Sequence, residues 1–155
     1  MVRRPKKFPQ ADSIDKILYI IKQFDEDELK EKEYLAKSVD IAPRQVDYYL
    51  DALIFLDIVD EEYNYTETAV AIISADTEQK KLHLRNLIIN RPVFKSVYKS
   101  IMHKKAFPDR KTIAYLIQQY FDLNDMTAER RSSTVVKWIK WIKDNKMLYT
   151  AHYYN

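Results

Sequence analysis

The residues of this chain that could do chemistry fall into two sets: carboxylates closely followed by lysines, and arginines interleaved with hydroxyls near the C-terminal end. Glu28-Leu29-Lys30 and Asp144-Asn145-Lys146 have the acid-x-lysine spacing with which a nuclease holds Mg²⁺ and orients water, and Asp109 after Pro108 could supply an upstream acid. Such centres are displayed on a mixed sheet, whereas these pieces fall on helices or their ends. A chain that is 32% charged also produces the spacing by chance. His83, His103 and His152 have neither an i, i+4 partner nor a neighbouring cysteine, so no zinc site is expected. The chain contains no Cys and no Gly. That excludes thiolate chemistry, disulfides and the glycine loops that cradle phosphates in nucleotide-binding enzymes. No catalytic residue, metal or cofactor is assigned.

The second set lies on Thr127 to Asn145, which reads as a helix. Val135, Trp138, Ile139 and Ile142 form its buried seam at i, i+3, i+4, i+7, and Arg130, Arg131, Ser132, Ser133 and Thr134 crowd its first turn. Arg130, Arg131, Ser133, Thr134 and Lys137 are the expected contacts of such a helix with phosphates and base edges in a DNA major groove, guanine being the natural target of either arginine. Lys140 extends the exposed side, Ser132 is taken as a capping or solvent residue, and Trp138 and Trp141 as core.

A helix can read DNA only if other elements hold it. Asp12 or Ser13 can cap a helix with Ile14, Ile17, Leu18, Ile21 and Phe24 inward. A shorter one over about 31–38 follows, and Pro43 opens a third to Phe55 that buries Val46, Tyr49, Leu50 and Leu53. Ile58-Val59 and Tyr63 to Thr66 flank Asp60-Glu61-Glu62 as a short, acidic-tipped wing, and Thr66 caps a further helix to Ser74. Helices are expected over 78–90, 92–104 and 110–121, the last burying Ile113, Leu116, Ile117 and Tyr120. Residues 147–154 read as a strand. The order helix, helix, turn, longer helix, strand thus occurs in 13–66 and again in 92–155. The fold expected is mainly α: two tandem winged-helix (helix-turn-helix) units with short β wings, at 13–77 and 78–155, after a flexible basic arm at 1–12.

Charge separates these halves. Residues 1–77 carry 10 Lys/Arg and 17 Asp/Glu, net −7, and residues 78–155 carry 16 and 6, net +10. A basic half is the footprint of a polyanion binder, since neutralised phosphates release counterions. In the arm, Arg3 and Arg4 could follow a phosphate backbone or a minor groove. The longest apolar run near the start, Ile17 to Ile21, is too short for a leader or a membrane span, so a cytoplasmic protein without membrane contact is expected.

Two ordered motifs carry a resemblance. Arg44-Gln45-Val46-Asp47-Tyr48-Tyr49, followed by Leu53 to Val59 and by Tyr65-Thr66-Glu67-Thr68-Ala69, resembles the first winged helix of a module of type II restriction systems, with its R-Q-x-D-Y-Y, L-G-L and Y-x-L-T-x-x-G patterns. Ala128 to Trp138 is similar to that module's second recognition helix, with its R-R-x-S-T-V-x-x-W pattern. Asp57 stands where the module has the glycine of L-G-L; Asp accepts positive φ better than most residues. The wing-end glycine is absent. The resemblance implies a non-catalytic, sequence-specific double-stranded DNA-binding module of a restriction or phage-defence system, contacting DNA also through Arg44, Gln45 and Tyr48. Its partners would be DNA, a nuclease domain or subunit, and, in a homodimer, a second copy. Two alternatives stay open: a regulator of transcription or replication initiation, and a protein-interaction module whose acidic first unit meets a basic partner or mimics DNA.

Overall fold

The computed structural model describes residues 7–23 and 32–145. The expected contacts at Arg3 and Arg4, the Glu28-Leu29-Lys30 triplet, Phe24, Lys146, the strand over 147–154 and His152 lie outside these residues. The architecture is mainly α, with eight helices among the described residues: α1 (Ile14–Lys22), α2 (Lys32–Ser38), α3 (Pro43–Phe55), α4 (Glu67–Ile73), α5 (Thr77–Ile89), α6 (Pro92–Lys104), α7 (Arg110–Tyr120) and α8 (Asp125–Asp144). None is long and apolar enough to cross a membrane.

The chain forms two compact units, Pro9–Leu84 and Met1–Phe8 with Arg85–Asn155, and the division falls inside α5 rather than before it. Counted by these units, the first has 8 Lys/Arg against 18 Asp/Glu, net −10, and the second 18 against 5, net +13. The charge separation is therefore a property of the compact units and sharper than the expected boundary made it.

In the first unit, α2 packs on α3 and α1 on α4. Local capping sets the helix starts: the Lys16 N–H donates to Ser13 Oγ at 3.2 Å and the Ala69 N–H to Thr66 Oγ1 at 3.3 Å. At α3 the Gln45 side chain accepts from the Ala42 N–H at 3.2 Å, half of a capping box, since Ala42 offers no side-chain oxygen in return. Burial pushes the Tyr49 phenol above its usual range; Asp12 adds to this and a backbone hydrogen bond at Ser13 opposes it. Tyr49 thereby ties α3 to the start of α1. On α4 the inward face is Ala69 and Ile72, while Val70 is 64% exposed, one step off the helical stripe.

The expected β wing is not a pair of strands. One isolated antiparallel bridge, Val59 to Tyr65, closes the segment, and no strand forms among the described residues. The turn is nonetheless tightly built. Asp60 Oδ1 accepts from the Glu62 N–H at 3.0 Å and the Asn64 N–H at 2.9 Å. The Asp60 N–H donates to the Asn64 carbonyl at 2.9 Å, and Tyr63 turns the chain with φ 64°. These contacts use backbone groups that a longer ladder would have paired.

A chain without glycine must place other residues where the backbone turns left-handed. Asp40, Asp57, Tyr63 and Lys105 do so, with φ of 53–64°. Asp57, with φ of 60°, gives the turn after α3 a left-handed conformation that glycine adopts most readily.

In the second unit, α6, α7 and α8 pack on one another around an aromatic column. Phe94 stacks on Trp138 with centroids 5.0 Å apart, Phe8 stacks on Phe94 at 5.8 Å, and Phe121 meets Phe8 edge-on at 5.0 Å. Phe8 is 4% exposed, and Pro9 and Ala11 are buried too, so residues 8–11 do not form the flexible arm expected over 1–12. The burial follows from side-chain type: a phenylalanine beside a buried aromatic pair loses more apolar surface than a solvated arm could recover. Tyr120, expected inward on α7, is exposed; Ile113, Ala114 and Ile117 fill the inner face.

Candidate nucleic-acid interface

The long helix begins two residues earlier than its seam suggests. Asn124 caps α8, accepting from the Thr127 N–H at 2.8 Å, and Asp125 places a negative charge in the first turn, where the helix dipole favours it. Arg130 to Thr134 consequently lie in the second and third turns, and their cations are not at the helix N-terminus.

A rotation of about 100° per residue then sorts the predicted contacts. Arg130, Ser133, Lys137 and Lys140 share one exposed stripe. Thr134 does not: it is 2% exposed, beside Val135 and Trp138 on the inward side, and is withdrawn as a DNA contact. Ser132, taken as a capping or solvent residue, is also buried and donates its hydroxyl to the Glu129 carbonyl at 2.5 Å. The Ser133 hydroxyl donates to the Arg130 carbonyl at 3.1 Å and stays exposed. Arg131 is half-buried and off the stripe.

The stripe faces a groove of about 560 Å³ between the start of α7 and the middle of α8. Pro108, Ile113 and Val136 give it apolar walls, and Arg110, Arg130, Lys137 and Lys140 surround them; no carboxylate lines it. Arg110 is set by its Nε–H, which donates to the Glu129 carbonyl of α8 at 3.1 Å. Its place beside Arg130 had no signal in the sequence, because only the packing of α7 along α8 joins positions so far apart in the chain. The start of α7 is fixed by Asp109, whose carboxylate accepts from the Thr112 N–H at 2.7 Å. Hydrogen bonds from the Thr112 backbone and side chain hold this carboxyl below the usual range. Asp109 is therefore occupied in capping, and Asp144 closes the far end of α8. Among the described residues, no three His, Asp or Glu side chains gather as metal ligands would.

In the first unit, Arg44, Gln45 and Tyr48 are all exposed on α3, Tyr48 at 40%, with Asp47 between them and Asp51 one turn further on. A buried cation in the second unit also had no assigned role in the sequence reading. Arg85, 2% exposed, donates to Asn86 Oδ1 at 2.6 Å and lies 5.8 Å from the Tyr98 ring centroid, while its Nε has no partner. Its spacing from Ile88 on the inner face of α5 was the available clue.

The model of a family described as a domain of unknown function, DUF7226, matches residues 16–147. The chain belongs to the DUF7226 family. The DUF7226 match takes in α3 and α8 together, so residues of both compact units fall within one family pattern. No curated protein and no solved structure matches the chain.

Proposed function

We propose that this DUF7226 chain is a non-catalytic module that binds double-stranded DNA sequence-specifically, built as two tandem winged-helix units in which α3 and α8 are the recognition helices. The observation that carries this reading is the convergence of Arg110, Arg130, Lys137 and Lys140 on one groove with no acidic residue in its lining, in a unit of net charge +13. Four cations within reach of one another suit successive phosphates, and Arg130 with Ser133 on the same stripe can reach base edges. The order α1, α2, α3 with its bridged turn, and the order α6, α7, α8, support the winged-helix assignment. On this reading, which the resemblance supports, the module serves a restriction or phage-defence system beside a nuclease domain or subunit, and the short apolar runs suit the cytoplasm.

Selection of bound duplexes from a random pool, followed by anisotropy titrations over a salt series, tests the proposal. Arg130→Ala and Lys137→Ala should each lower affinity and reduce the salt slope by about 1. An unchanged slope in both variants sinks the assignment of α8. The acidity around α3 favours a second role for the first unit as a protein-contact surface: if Arg44→Ala and Gln45→Ala leave DNA binding intact, α3 does not read bases.

A further inference from the structure

The acidic turn of the first unit and the basic groove of the second have complementary charge. The turn is held by the paired hydrogen bonds to Asp60 and by the left-handed Tyr63, so it projects Asp57, Glu61 and Glu62 together with an exposed tyrosine ring. The groove offers the converse: Pro108, Ile113 and Val136 provide apolar surface for a ring, and Arg130, Lys137 and Lys140 stand at its rim for carboxylates. Neither Arg130 nor Lys140 has an ion-pair partner among the described residues. An aromatic side chain flanked by acids on a rigid turn satisfies both requirements without a large ordering cost.

We propose that the groove is a docking site for a second copy of this chain, which enters it with its 57–63 turn. Every copy carries both a turn and a groove, so two copies satisfy each other reciprocally in a closed dimer or copies add head to tail. The patch is small, which places the association in the weak, salt-sensitive class. Exposed charges within a Debye length of about 10 Å at 0.1 M salt attract strongly, and at about 1 M that reach falls to about 3 Å. The proposal shares the groove with the DNA assignment without depending on it, because self-association is measured in the absence of nucleic acid. Where both hold, duplex and second copy compete, and assembly limits DNA binding at high protein concentration.

Sedimentation velocity of the full chain over a concentration series, at low salt and at about 1 M salt, tests the inference. The wild-type sedimentation coefficient should climb with concentration at low salt and lose that dependence at high salt. Glu61→Lys with Glu62→Lys should remove it, as should Lys137→Glu with Lys140→Glu, each variant keeping its wild-type circular dichroism. An equimolar mixture of the two variants should regain it, because the basic turn of one fits the acidic groove of the other and the converse contact is also restored. A wild type that stays monomeric at every concentration overturns the proposal, as does association that survives either charge reversal or a folded mixture that fails to associate. A monomeric chain whose groove instead takes up an acidic peptide added in trans assigns the groove to a foreign partner and likewise overturns it.

Discussion

Replacing Phe8 by alanine removes the ring that stands between Phe94 and Phe121, 5.8 Å from one centroid and 5.0 Å from the other. Truncating a buried phenylalanine costs about 3–5 kcal/mol, transfer and cavity together. For a unit of this size each kcal/mol lowers Tm by about 4–8 °C, so a fall of at least about 12 °C is expected. Phe8→Leu keeps most of the apolar bulk and loses the two aromatic geometries; at about 0.5–1.5 kcal/mol for each pair its cost is about 1–3 kcal/mol. The assay is thermal unfolding followed by tryptophan fluorescence, because both tryptophans, Trp138 and Trp141, lie on α8 of the same unit and Trp138 stacks on Phe94. A transition displaced by less than about 1 kcal/mol in Phe8→Ala refutes the reasoning, since a residue on a solvated arm gives that result. A Leu variant as stable as the wild type would show that bulk alone, and not ring packing, does the work.

Lys105 ends α6 with φ 56°; Lys105→Gly should relieve the left-handed cost and raise stability by about 0.5–1 kcal/mol, read as a higher thermal midpoint. Thr134→Val should lower stability by about 1 kcal/mol through the hydroxyl it loses, with duplex affinity below the melting range unchanged; a tenfold affinity loss in the folded variant would return Thr134 to the contact face. Asp109 has a depressed folded pKa, so its contribution to stability is present above the unfolded value of about 3.9 and is lost as pH falls through the lower folded value. Asp109→Asn keeps a capping oxygen without the charge, and the gap in Tm between the two proteins should close over that acid window and narrow with added salt; a gap independent of pH would contradict the assigned cause.

Much of the helical order was legible in the sequence because its signals are local. Ser13, Thr66 and Pro43 mark helix starts through groups within one turn, and the i, i+3, i+4 stripes of α3 and α6 follow from the backbone's own period. The expectation of a left-handed turn at Asp57 rests instead on the resemblance, whose glycine position it occupies, and on the tolerance of Asp for positive φ. Of the expected wing the structure has a single bridge, Val59 to Tyr65, because Asp60 offers its carboxylate to backbone N–H groups of the same turn. The start of α8 was set too late because its seam begins after a polar turn that Asn124 already caps.

The sequence by itself determined the helical class, the separation of acidic from basic halves, and Arg130 and Lys137 as candidate contacts, since composition and short-range periodicity are carried by neighbours in the chain. Only the tertiary structure decided that Phe8 is core, that Thr134 is buried while Ser133 is exposed, and that Arg110 joins Arg130 at one groove. These outcomes depend on which helix packs against which, and the chemistry of a residue's neighbours in sequence does not encode that choice where the partners lie in distant segments.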